Sequence, residues 1–413
     1  MVRTSDTAQL DQLWIKASVT GGLWAAVEII LGSFLHNLKF PFAGTILTAI
    51  GIIFLISFYQ IWPEKGLIWR AGLVCALMKS ISPSAVILGP MIGIFTEALL
   101  LDLTIRIGGN WLFSYALGGA LAMISTLLHK VISLLIYYGF NLIPIYENIY
   151  SFALRQLRLP ESSPWNLLLI FLVIYIIAGI ISSLIGYIIG RKSKQIEVSR
   201  PLNIQFNNPG KELFTLPSKQ SFSLPLFFIH LISVLMGMFL LNRMNFFISL
   251  GFVVIYTCFT LIYYRTLIHR FRKPFFWIQI FLMVIVAGLF WENLSSNDTA
   301  FSITGIWIGI EMCLRAILIF VGFSSISIEI RNPIIKAFLI KKGFRKIYLS
   351  VSMAFAALPL MIERISNPFH FLIRPGKSIS LIANDARSWL SIFEVEKTQP
   401  RINEMDRDES DRL

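Results

Sequence analysis

A succession of long apolar runs constrains this 413-residue chain more than any other feature. A helix needs about 20 apolar residues to cross the roughly 30 Å hydrocarbon core, and only helices or closed barrels satisfy every backbone polar group there. The period-two alternation of barrel strands is absent, so the runs predict helices. Ten spans are expected, at about 17–36, 42–60, 67–79, 85–103, 111–140, 166–190, 222–241, 246–264, 275–291 and 304–328. Composition agrees: 56% of residues are hydrophobic and 14% charged, with a mean hydropathy of +0.71. A soluble domain carries about 25% charged residues. The expected fold class is an all-α polytopic integral membrane protein with about ten transmembrane helices and additional cytoplasmic amphipathic helices. The polar start, "MVRTSDTAQLDQLW", lacks an apolar core and a small-residue cleavage site, so the first span is expected to be retained.

The net charge of +13 raises nucleic acid as a partner, but the distribution of that charge points to a bilayer instead. With the N-terminus cytoplasmic, 29 of the 36 lysines and arginines fall in inside segments and 5 outside (Lys39, Lys79, Arg155, Arg158, Arg243), while Lys130 and Arg315 lie within spans. The positive-inside rule therefore sets both termini in the cytoplasm of a multi-pass protein in the cell membrane. No nucleic-acid partner is expected.

Composition also divides the chain. Residues 1–195 hold six spans, 196–221 are a polar linker rich in proline, and 222–328 hold four more spans. Residues 329–395 alternate basic residues with short apolar groups, as amphipathic helices at the inner interface do; Ile334, Ile335, Phe338 and Leu339 share one helical face. A helix at 346–365 is expected not to span, since spanning would place the basic tail outside. Residues 396–413 are mixed in charge and read as disordered.

Several chemistries are excluded. Cys75, Cys258 and Cys313 are far apart inside apolar runs, which suits small hydrophobes and implies neither disulfide nor metal. No phosphate-binding loop is present: "IRPGKS" at 373–378 lacks the upstream glycine. His36, His129, His230, His269 and His370 are scattered without metal-ligand or triad spacing, so neither enzyme activity nor a cofactor is expected. The signal lies in ionisable residues within spans, each costing at least about 2.5–3.5 kcal/mol on insertion scales. Glu28, Glu97, His129 and Lys130 fall in this class, and Lys130 is expected either to pair with one of the two carboxylates or to join them in binding a solute. Asp102 with Arg106 reads as a solvated i, i+4 pair at a helix end, and Glu311 with Arg315 as a self-neutralising pair inside the membrane.

Small residues on the first helix, "TGGLWAAVE", together with "RAGLVCALMKSISPSAVILGPMIGIFTEALLLDL", make the first half resemble a substrate-binding S component of the energy-coupling factor (ECF) vitamin transporters. The second half, through "GIEMCLRAILIFVGFSSISIEIRNPIIKAFLIKKGFRKIYLSVSMAFAALPLMIERI", resembles their transmembrane T component. The resemblance implies a six-helix binder of a vitamin-like solute, docked through its first helix on a T component whose cytoplasmic helices rest on a separate ATPase pair. Gly21, Gly22, Ala25 and Ala26 would then form the docking face; ordinary packing within the bundle is the other reading of these residues. The solute would be met by Glu28, His36, Asn37, Lys79, Ser82, Glu97, His129 and Lys130, with Asn141, Tyr146 and Trp165 at the mouth of its cavity. ATPase coupling would involve Arg331, Arg364 and the triplet Ala386, Arg387, Ser388, which is similar to one of the family's two arginine motifs.

Overall fold

The computed structural model describes residues 11–38, 40, 42–79, 88–158, 160, 162–194, 224–264, 268, 274–291, 302–330, 345–364, 371, 377–382, 386 and 388–390. Twelve principal helices run through them: α1 (Gln12–Asn37), α2 (Ala43–Ile61), α3 (Leu67–Lys79), α4 (Leu88–Gly108), α5 (Leu112–Tyr138), α6 (Leu142–Gln156), α7 (Pro164–Lys194), α8 (Leu224–Arg243), α9 (Phe246–Tyr263), α10 (Pro274–Phe290), α11 (Ile303–Ile330) and α12 (Arg345–Arg364). The protein is an all-α polytopic membrane protein, with no strand among the described residues. The linker 196–221 and the tail 396–413 lie outside the described residues.

Each of the ten expected spans coincides with a helix. Seven of the helices, α1, α2, α5, α7, α8, α9 and α11, are long and apolar enough to cross a membrane. The other three differ for visible reasons. α3 has 13 residues and α10 has 17, and α4 carries Glu97, Asp102 and Arg106. Thirteen residues rise only about 20 Å, short of the hydrocarbon thickness. Proline sets several boundaries: Pro164 and Pro274 open α7 and α10, where a missing N–H is free of cost.

Helix α6 is a departure, since 141–165 reads as a loop in the sequence. The chain turns at Gly139 in the left-handed region (φ 79°) and coils again at once. Asn148 then donates to the carbonyls of Phe290 (2.7 Å) and Trp291 (3.2 Å), satisfying the open end of α10. Phe152 packs edge-on against Phe290.

α2 is the central helix of the first bundle, and α1 packs between α2, α3 and α12. A methyl on Gly21 would lie 2.6 Å from the carbonyl oxygen of Ala71, so α3 presses backbone against backbone there. A methyl on Gly22 would lie 3.2 Å from both the Ala354 Cβ and the Met361 sulfur, so the neighbouring face receives α12. Small residues on α1 thus serve both readings: Gly21 packs within the bundle and Gly22 packs against the later half of the chain. α12 buries Ala354, Phe355, Ala357, Leu358 and Met361 in the same core as α1, α2 and α3, joined by Phe371, Ile379, Ile382, Ala386 and Trp389. Within the segment drawn by composition at 329–395, α12 and these described residues are therefore packed onto the first bundle. Ser350 donates to the Trp14 carbonyl (3.5 Å) and Ser193 to Ser380 (3.3 Å), which brings the residues flanking α12 to the end of the bundle where α1 begins and α7 finishes.

The two glycines predict separable defects. Gly21→Leu meets an unyielding backbone and destabilises the whole first bundle by the roughly 1–3 kcal/mol typical of overpacking, read as a lower thermal unfolding temperature. Gly22→Leu meets side chains and raises hydrogen exchange in 345–364 while α2 to α5 keep wild-type protection.

Candidate functional site

The polar groups of the first bundle collect at several levels. Near the end of the bundle opposite the start of α1, Lys79 closes α3 and donates to the Glu28 carbonyl (3.1 Å) and carboxylate (3.5 Å). Glu28 is 5% exposed and takes its countercharge from this neighbour. Gly32 leaves room for the ammonium, whose nitrogen lies 3.2 Å from where a side chain would begin.

Lys130 pairs with neither carboxylate, so the first of the two readings drawn from sequence does not hold. α5 turns it toward α2 and α7, where it donates to Thr45 Oγ1 (2.8 Å) and the Tyr175 hydroxyl (3.0 Å). Those two hydroxyls are themselves bonded at 2.8 Å, and the ammonium lies 5.4 Å from the Phe42 ring centroid. Glu28 is already held by Lys79, so the positive charge of Lys130 meets only neutral oxygens and aromatic faces among the described residues.

Glu97 is the converse case. It is 3% exposed, and its Oε1 has no hydrogen-bond partner among the described residues. The indole nitrogen of Trp24 is buried in the same condition. Both press against Gly51, whose missing side chain admits them: a methyl there would lie 2.6 Å from Glu97 Oε1 and 3.2 Å from Trp24 Nε1. Thr48, one turn along α2 from Thr45, is a hydrogen-bonding neighbour of the carboxyl and bonds Thr126 of α5 at 3.0 Å. Polar groups thus recur along α2, from the Lys130 ammonium at Thr45 through the Thr48–Thr126 bond to Glu97 of α4 and Trp24 of α1 at Gly51. Leaving such a buried group unmade costs about 1–3 kcal/mol, more when it is charged.

The other expected solute residues are distributed around these groups. His129 points its Nε2 at Gly89 of α4, 3.6 Å from where a side chain would begin. Ser82 and the side chains of His36 and Asn37 lie outside the described residues. Tyr146 donates to the Pro164 carbonyl (2.7 Å) and Tyr150 bonds Ser162 (2.6 Å), so this stretch holds the α6–α7 turn.

At the end where α1 begins, Asp102 pairs with Arg106 as expected, but only Arg106 is solvated: its side chain is 42% exposed against 5% for Asp102. The buried carboxylate also accepts from the Trp69 backbone N–H, in the first turn of α3, where a negative charge suits the helix dipole. Arg70 stacks over Trp69 and Trp14, at 4.7 and 5.2 Å. Lys16 pairs with Glu64 beside them. Of the expected coupling residues, Ala386 and Ser388 are buried, at 0% and 7% exposure. Arg331, Arg387 and the side chain of Arg364 lie outside the described residues.

The second bundle holds a network that the scattered histidines conceal. His230 of α8 is fully buried, with Nδ1 3.0 Å from the Tyr256 hydroxyl and Nε2 3.0 Å from the Tyr264 hydroxyl. Tyr264 donates to Glu329 of α11 at 2.5 Å. Its single proton is used there, so Nε2–H of His230 must donate to it and Nδ1 must accept from Tyr256. The signal available in sequence was the eight-residue spacing of Tyr256 and Tyr264, which sets both on one helical face.

Arg315 corrects a further expectation. It donates to Asn242 Oδ1 (2.6 Å) instead of closing a pair with Glu311, and its guanidinium fills the space above Gly139. A side chain at 139 would occupy that space, so the α5–α6 turn and α11 are keyed together.

Comparison with protein-family models, curated protein sequences and solved structures finds no match to this chain.

Removing the histidine should expose the worth of its network. His230→Phe removes two buried hydrogen bonds, and unfolding in mixed micelles is expected to show a loss of about 2–6 kcal/mol at about 1–3 per bond, confined to α8, α9 and α11.

Proposed function

We propose that this chain is the membrane subunit of an ECF-type importer, fusing a solute-binding bundle to a coupling bundle, with both termini cytoplasmic in the cell membrane. The bundle of α1 to α7 binds a small vitamin-like solute from outside. A separate ATPase pair moves the cytoplasmic helices and supplies the power. One observation carries this reading: the glycine face of α1 is occupied by α12, at Gly22 against Ala354 and Met361. Movement imposed on α12 would then reach the binding bundle through direct contact. The uncompensated Lys130 and Glu97 support the binding half of the proposal, since charged groups inside a membrane protein mark solute paths by default.

A second reading is favoured by the His230–Tyr264–Glu329 chain, because such chains relay protons in ion-driven carriers. That carrier would need no ATPase.

Uptake of a radiolabelled vitamin panel separates the two. With a co-expressed ECF-type ATPase pair, uptake rises at least tenfold and Gly22→Leu abolishes it while solute retention persists. Uptake that is unchanged without the pair, and collapses with a protonophore, contradicts the importer reading.

A further inference from the structure

The turn between α2 and α3 gathers more hydrogen-bond donors than the acceptors around it use. Gly66 stands there in the left-handed region (φ 88°), and a side chain on it would run into Arg70 Nη1, Arg106 Nη2 (2.7 Å) and Trp69 Nε1 (3.1 Å). A residue without a side chain is what lets two guanidiniums and an indole, from α3 and α4, converge on one point. Among the described residues Arg106 bonds Asp102 through Nε alone, and Arg70 gives one N–H to the Gly66 carbonyl (3.0 Å). Each guanidinium has five N–H donors to place. The carboxylates are already in use: Asp102 also accepts from the Trp69 backbone, Glu64 is held by Lys16, and Asp11 acts on Arg70 through space without an ion pair. Counting Lys65, exposed in the same turn, the cations here outnumber these three carboxylates by one.

Two neighbouring guanidiniums repel each other, and a phosphate, with several acceptor oxygens and a full negative charge, suits such a pair of forks. Arg106 is the open side of the cluster, its side chain 42% exposed. Arg70 stacks over Trp69 and Trp14, so its fork is set in place before a ligand arrives. The surface beside Arg106 is apolar. Ile92, Leu99, Leu103 and Ile107 are exposed on α4, and their spacing of seven, four and four residues makes one stripe that ends next to Arg106. A soluble phosphate has no use for that stripe, whereas an acyl chain does. Arg106 lies two residues before the last of α4 and Gly66 immediately before α3, so the cluster stands at helix ends, the level of headgroups.

We infer that Arg70 and Arg106, with the Trp69 indole, hold the phosphate of an anionic phospholipid from the leaflet on the side of the N-terminus, its acyl chain lying on the α4 stripe. A zwitterionic headgroup would bring its own cation into a cluster where positive charge is already in excess. Basic pockets between membrane helices recognise anionic headgroups in this way. The site stands independently of the importer reading.

The test places the purified full-length protein in mixed micelles with equal phosphatidylglycerol and phosphatidylcholine of the same chain length, and native mass spectrometry reads the lipid retained. The wild type is expected to hold phosphatidylglycerol several-fold over phosphatidylcholine. Arg70→Gln and Arg106→Gln should bring the ratio close to unity. Trp69→Phe, which deletes the indole donor and keeps a ring beneath Arg70, should lower it. Lys192→Gln removes an exposed charge from the same end of the bundle and should leave it unchanged. Melting without added lipid shows whether each variant folds; Arg106→Gln strands Asp102, and if it does not fold, Arg70→Gln and Trp69→Phe carry the test. Variants at all three positions that keep the full preference overturn the site. Lys192→Gln lowering the ratio as much as Arg70→Gln also overturns it, because the net charge of that face would then be responsible. Phosphatidylglycerol displaced as well by glycerol 3-phosphate as by added phosphatidylglycerol overturns the lipid assignment and gives the cluster to a soluble phosphate.

Discussion

Every polar group that enters a bilayer must find its partner inside the protein, and the rest of this structure depends on how that requirement is met. Glu28 takes Lys79, the Asp102 carboxylate takes Arg106 and the first turn of α3, and Arg315 takes Asn242. His230, Tyr256, Tyr264 and Glu329 satisfy one another across three helices. Other groups are met less completely. Lys130 has hydroxyls but no countercharge, and Glu97 and Trp24 each keep a buried polar atom unpaired among the described residues. The buried Arg315 Nε and Glu329 Oε2 are unpaired among the described residues as well, so incomplete satisfaction recurs in both bundles.

The second organising constraint is steric. Helices in a membrane gain little from the hydrophobic effect against one another, so they associate by close packing, which small residues permit. α1 uses consecutive glycines for different partners: Gly21 admits the α3 backbone and Gly22 admits α12. The same device joins α5 to α7, where a methyl on Gly179 would lie 2.3 Å from the Gly119 carbonyl oxygen.

The helices themselves were legible in sequence because length and apolarity are local properties. So was the pair Asp102 with Arg106, set by one helical turn. What escaped was whatever depends on partners far along the chain. Lys130 finds Thr45 85 residues away and Tyr175 45 residues away, and neither residue stands out in an apolar helix. Glu28 and Lys79 are separated by 51 residues. His230 looked isolated because its tyrosines lie 26 and 34 positions on, within a different helix and just beyond its end. Helix α6 was hidden by its short amphipathic sequence, which reads as a polar loop until its apolar face is seen against α10.

The central claim is that the contact between α1 and α12 is a moving joint. A cysteine pair at Gly22→Cys and Ala354→Cys tests it directly, because a Cβ at position 22 would lie 3.2 Å from that of Ala354, close to the roughly 3.5–4.5 Å that a disulfide spans. In membranes that also contain the ATPase pair, with exposed Cys258 replaced by serine, the disulfide should form readily without nucleotide and its yield should fall several-fold during ATP turnover. A yield that stays the same with and without ATP hydrolysis would make the contact a static packing seam and contradict the account.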